Sequence, residues 1–248
     1  MRLKLTPGGC IPESQNIAHI RAARKRGLPV VNGAGSLALV GGGLSAAEHI
    51  ETLRHWAGEV WAINGAATWC HEHGINAAFI TVHATIAAVD PRLNRVVLGV
   101  ECSPALFDSV LDRDLRMLPD VEIDGQMYRG GTTATATAIA LPYMGFDDVT
   151  FYGLEGSYGE RSHNYDVYQD PKELWVTVRA SDGEYRTKLE FLHQSIVLAE
   201  LVHAFPGRFK ECSGGLLRAL VRDHEHDVID MSPILLEEIE RVAYGAPT

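Results

Sequence analysis

Short apolar runs hand over to amphipathic segments repeatedly through the first 155 residues, and the handover is usually made in glycine. In SLALVGGGLSAAEHIETLR, residues 36–54, the apolar run ends in Gly41, Gly42 and Gly43. EVWAIN followed by AATWCHEHG repeats the order. So do NAAFITVHA, RVVLGVE with Ser103-Pro104 opening the next helix, and DVTFYGLEG. Strands joined by helical crossovers specify a parallel sheet with helices on both faces. The pattern therefore predicts a Rossmann-like α/β fold. Ser45 with Glu48 has the spacing of a capping box, which makes Ser45 the expected N-cap of the first crossover helix. Gly58 and Gly74 are expected helix stops.

Beyond residue 155 the style changes. GSYGERSHNYDVYQDPKE reads as a polar, aromatic loop. LWVTVRASDGEYRTK reads as a hairpin turning at Asp182-Gly183. LEFLHQSIVLAELVHAF reads as a long helix, and RFKECSGGLLRALV as a last strand and helix. No repeat and no linker forces a division, so one domain over 1–248 is expected, with its core at about 36–222. The basic helix NIAHIRAARKRGLP and the acidic tail from Asp223 are expected to be peripheral.

Bulk properties narrow the function classes. The formal net charge of −10 disfavours broad binding to nucleic acid. No run approaches the ~18 apolar residues a membrane span needs. MRLKLTPGGC has no apolar signal core, and Cys10, Cys70, Cys102 and Cys212 form no CxxC pair. A cytoplasmic protein with reduced thiols is the expectation. Homo-oligomerisation stays open.

In open α/β sheets ligands bind beyond the carboxyl ends of the strands. Three stretches should end there. Gly41–Gly43 would let backbone N–H groups approach a phosphate, with a helix start behind them. The spacing GGGLSA is neither GxGxxG nor a P-loop, and a tight strand–helix turn explains it as well. Asn64-Gly65 offers a neutral donor and acceptor suited to a base or sugar, or forms an Asn-Gly turn. RGGTTATATA sets Arg129, Gly130 and Gly131 before Thr132 and Thr133 at a helix start, which suits an anion or a threonine N-cap.

Taken together, LALVGGGLSAAEHIETLRHWAGEVWAINGA and RGGTTATATAIALPYMGFDDVTFYGLEGSYGERSH resemble the MptE-like family. That family includes archaeal 6-hydroxymethylpterin diphosphokinase and bacterial motility accessory factors implicated in flagellin glycosylation. The layout is also similar to Rossmann-like bacterial sialyltransferases, which use a CMP-sugar. The resemblance covers residues 36 to about 165. It implies that Gly41–Gly43 and Ser45 lie along a donor phosphate, and that Asn64 and the Gly130–Thr133 turn flank the nucleotide. Glu155 stands where the family usually has Asp, and His163 falls in the loop that carries the sialyltransferases' catalytic histidine. Leu44 replaces a frequent Pro. His83 stands near the position of an Asp in relatives, and Asp90 comes late. A diphosphokinase needs carboxylates to hold Mg²⁺, so this departure counts against pyrophosphoryl transfer.

The resulting expectation is a transferase that uses a nucleotide-activated donor, moving a glycosyl group to a hydroxyl acceptor of unknown identity. His163 would deprotonate the acceptor, with Glu155 and Tyr158 beside it and Tyr165 and Tyr168 nearby. Tyrosines on the departing phosphate would replace a metal, so no cofactor is required. The alternatives are a Mg²⁺-dependent diphosphokinase and a nucleotide-binding module without catalysis. Cys70, His71 and His73 do not share a helix face, and His224 and His226 sit in a charge run. Neither is expected to hold a metal. Trp56, Trp61 and Trp69 are expected to pack, and Arg24-Lys25-Arg26 to be a solvated helix end.

Overall fold

A computed structural model describes residues 11–83, 85, 88–123, 126–127, 131–157, 175–223 and 227–231, with backbone alone at 123, 126–127 and 227–231. The chain opens with α1 (Glu13–Lys25), followed by β1 (Gly35–Val40). A 3-10 helix, Leu44–His49, runs into α2 (Ile50–Arg54). Then come β2 (Glu59–Ile63), α3 (Ala66–Glu72), β3 (Ala78–Thr81), β4 (Arg95–Leu98), α4 (Pro104–Asp108) and β5 (Asp114–Met117). A small ladder of β6 (Glu122–Ile123) and β7 (Gln126–Met127) precedes α5 (Thr133–Ala140). β8 (Phe146–Tyr152), β9 (Trp175–Ala180), β10 (Gly183–Lys188), α6 (Leu189–Ala204), β11 (Phe209–Glu211), α7 (Gly215–Arg222) and β12 (Asp227–Met231) complete it.

Seven strands form one parallel sheet in the order β11-β8-β1-β2-β3-β4-β5. The fold is thus Rossmann-like α/β, with an antiparallel C-terminal hairpin, β9–β10, beside it. The alternation along β1 shows how the sheet is buried on both faces. Leu37 and Leu39 join one core, with Trp61, Ile80, Phe151 and the inner faces of α5, α6 and α7. Ala38 and Val40 join the other, with Leu53, Phe79, Phe107 and Tyr152. Burying such side chains stabilises by about 1.5–3 kcal/mol each. Trp61 and Trp69 are buried packing residues, as expected of them.

Local differences from the sequence reading have physical causes. The segment after β1 is a 3-10 helix before it becomes α2, and its N-cap is Gly43 rather than Ser45. Ser45 makes no capping bond, so the capping box with Glu48 does not form. Ser103 does cap α4, accepting from the Leu106 amide at 3.2 Å. α1 is less peripheral than its charge suggested: His19, Ile20 and Ala23 are buried. The tail supplies β12, which pairs antiparallel with β9. At the β5 edge, Val30 adds a parallel bridge to Met117.

Arg208 staples the start of β11 to the end of α5. Its guanidinium donates to the carbonyls of Phe146 (2.8 Å), Met144 (2.8 Å), Leu141 (3.2 Å) and Pro142 (3.5 Å). It also lies over the Phe209 ring, 5.3 Å from the centroid.

Candidate functional site

β1 has β2 on one side and β8 on the other, so the order of connection reverses there. Such a switch opens a crevice beyond the carboxyl ends of the two strands. Gly41–Gly43 leaves β1 at this point, and Gly153–Glu155 leaves β8.

The two strand ends are drawn tightly together. The Gly41 amide donates to the Tyr152 carbonyl and the Gly43 amide to the Gly153 carbonyl, each at 2.8 Å. The β1–β8 pairing thus continues past the strands. A Cβ on Gly41 would overlap the Gly153 carbonyl and the Leu154 side chain, and one on Gly153, where φ is +62°, would crowd the Gly41 carbonyl at 2.7 Å. These glycines are required by the approach of one backbone to another. Gly42 is half-buried between Gly41 and Gly43.

The side chain of Glu155 fills the turn. Its carboxylate occupies the space that a Cβ on Gly43 would take, and Oε1 accepts from the Ser45 amide at 2.5 Å. The carbonyl of Glu155 accepts from the Leu217 amide of α7 at 3.0 Å, which fixes its backbone. The amides of Gly41, Gly43 and Ser45, expected along a donor phosphate, are therefore all engaged by the protein. A neighbouring turn repeats the arrangement. Glu211, whose side chain is 8% exposed, accepts from the amides of Ser213 and Gly214. Nothing but the glycine-rich SGG after a strand pointed to this second turn in the sequence.

Two polar atoms near the crevice are buried without a hydrogen-bond partner among the described residues: Ser45 Oγ and Asn64 Oδ1. A buried unpaired polar atom costs about 1–3 kcal/mol, and a bound group is one way to satisfy it. Asn64 sits at the end of β2 with φ +51°, the one non-glycine residue with positive φ among those described. Asparagine tolerates this conformation better than most residues. Its amide donates to Ile80 and its carbonyl accepts from Ala67, both at 3.1 Å. Gly65 follows as the N-cap of α3. Asn64→Gly is therefore expected to keep the fold, with a change in stability under about 1 kcal/mol, whereas Asn64→Val is expected to lose more. Chemical denaturation of both variants checks this.

At the start of α5, Thr132 is the N-cap. Its hydroxyl accepts from the Thr135 amide at 3.1 Å and donates to Gln194 Oε1 of α6 at 2.8 Å. The buried Thr133 hydroxyl accepts from the Val82 amide at 3.3 Å, tying α5 to the end of β3. These hydroxyls cap and pack. Gly131 is half-buried, with open space where a Cβ would stand. His83 follows Val82, and burial pushes its imidazole below the ordinary histidine range. Burial thus favours its neutral form, at a residue that the sequence marked only as a departure from relatives.

Arg129, Gly130, Tyr158, His163, Tyr165, Tyr168, His224 and His226 lie outside the described residues. Among the described residues, no group of three or more His, Cys, Asp or Glu is arranged to hold a metal ion, and no helix is long and apolar enough to cross a membrane. Compared with known proteins, the chain matches no family model, no curated protein and no solved structure.

Proposed function

We propose that this chain is a transferase that takes a nucleotide-activated donor at the carboxyl edge of its sheet and passes a glycosyl group to a hydroxyl acceptor. The observation that carries the reading is the pair of buried atoms without a partner among the described residues, Ser45 Oγ and Asn64 Oδ1, beside a topological switch point. In this reading the Asn64 carboxamide meets the base or sugar, and Ser45 supplies a hydroxyl. On the same reading the donor phosphates lie at the start of α5, drawn by the positive end of the helix dipole, with the Thr135 amide already taken by the Thr132 cap. The Gly41–Gly43 turn is a poor place for them while Glu155 holds it, because a phosphate there would meet a carboxylate.

The chemistry follows the resemblance. His163 takes the proton of the acceptor hydroxyl as its oxygen bonds to the sugar's anomeric carbon. The bond from that carbon to the donor phosphate oxygen breaks, and the nucleotide leaves with the electron pair. Tyr158 donates to the departing phosphate.

The test is a thermal-shift screen of CMP, UDP, GDP and ADP and their sugar conjugates, with and without Mg²⁺. One nucleotide family is expected to raise the melting temperature saturably, since a ligand at 100 times its Kd stabilises by about 2.7 kcal/mol. Asn64→Gly is expected to weaken that ligand at least tenfold. If no nucleotide stabilises the protein, or if Asn64→Gly binds as tightly as the parent, the reading fails. An absolute need for Mg²⁺ would transfer the assignment to pyrophosphoryl transfer.

A further inference from the structure

At the opposite edge of the sheet, where β3 and β4 begin, lies a depression of about 340 Å³. His71, Asn76, Arg92, Asn94 and Arg95 line it, over buried Leu93. No carboxylate is among its lining residues. Of the acids around it, Glu72 and Asp90 are both held by Arg92, at 3.5 and 2.6 Å, and Asp114, beside Arg95 in the β4–β5 register, is held by Arg116 at 3.2 Å. Asp90 takes the Arg92 guanidinium through both carboxylate oxygens, so that charge is already answered.

Arg95 differs. Only its Nη2 is engaged, donating to the Asn76 carbonyl at 2.6 Å and to Asn76 Oδ1 at 3.2 Å. Among the described residues, Nε and Nη1 meet no acceptor. The bond to Oδ1 also fixes the Asn76 carboxamide, leaving its NH₂ as a donor. The depression thus gathers a guanidinium that makes no ion pair among the described residues and a carboxamide turned to donate, in a chain of net charge −10.

We propose that this depression binds a small molecule bearing an oxyanion, phosphate or carboxylate, with Arg95 as its charge partner. A forked guanidinium matches both groups. The volume equals that of roughly ten waters, which suits one small metabolite and not a dinucleotide. Four-residue β3 spans about 13 Å, so the depression is separate from the switch-point crevice.

Inorganic pyrophosphate and citrate are the probes, titrated at constant ionic strength and followed by calorimetry and by the side-chain amide signals of Asn76 and Asn94. Saturable binding that moves those signals is expected, with at least a tenfold weaker Kd in Arg95→Gln, a smaller loss in Arg95→Lys, which keeps the charge but not the fork, and retention in Asn64→Gly. Binding of pyrophosphate alone, or of citrate alone, identifies which oxyanion the site accepts. If neither probe binds, if Arg95→Gln binds equally, or if the shifts fall elsewhere, the proposal is overturned. Loss in Asn64→Gly would place the probe in the crevice and would overturn it too. A folded Arg95→Gln, checked by its melting curve, keeps the comparison valid.

Discussion

Gly41→Ala is expected to destabilise the protein by about 3 to 5 kcal/mol, read from the urea midpoint. The new methyl meets backbone, the Gly153 carbonyl, and the buried Leu154 side chain. Neither yields cheaply. Overpacking of this kind costs about 1–3 kcal/mol, and parting the strand ends adds two ladder bonds, Gly41 to Tyr152 and Gly43 to Gly153, at about 1 kcal/mol each. Gly43→Ala should behave differently although it is two residues away. What it meets is the far end of the Glu155 side chain, which can swing out. The expected loss is about 1.5–3 kcal/mol, that of one charged hydrogen bond to the Ser45 amide. Gly131→Ala is the control, with open space at that position and a change within about 1 kcal/mol. Equal losses at 41 and 43 would mean that the turn is a rigid unit and that Glu155 does not give way.

Arg208→Ala is the second large effect, an expected loss of about 2–4 kcal/mol. The substitution strips a charged donor from the carbonyls of Phe146, Met144, Leu141 and Pro142, and a hydrogen bond to a charged group contributes about 1.5–3 kcal/mol net, far less than additively where one half-buried guanidinium serves four carbonyls. It also removes a cation from the Phe209 face. Arg208→Lys should recover less than half, because one ammonium does not span the same carbonyls. Thermal and urea unfolding of the two variants give the comparison. A loss below about 1 kcal/mol for Arg208→Ala would show that water serves those carbonyls equally well.

The parts of this fold that the sequence displays are those where one local signal suffices. β3 is buried throughout, and β1 and β2 over their last four residues, so their apolar runs are unbroken. β5 was missed because it lies in the sheet's outermost position, where Asp114 and Arg116 alternate with Leu115 and Met117 and the pattern looks like a loop. β12 was missed because its identity as a strand depends on β9, some fifty residues earlier. The glycines after β1 were legible as a close approach, but the sequence does not say whose backbone approaches. β8, remote in the chain, supplies it at Gly153. Ser45 looked like a cap because Ser at that spacing usually is one. The chain instead turns at Gly43 and leaves the hydroxyl without a partner among the described residues. Glu155 was legible as a site residue. Its place inside the glycine turn was not, since that depends on how α7 holds its carbonyl.

Consecutive residues on β1 are energetic strangers. Leu39 shares its fate with Phe151 and the helices of one flank, while Val40 answers to Tyr152 and those of the other. The hydrogen-bonded backbone between them is a wall. Damage in one compartment is therefore felt by distant parts of the chain before it reaches the next residue along.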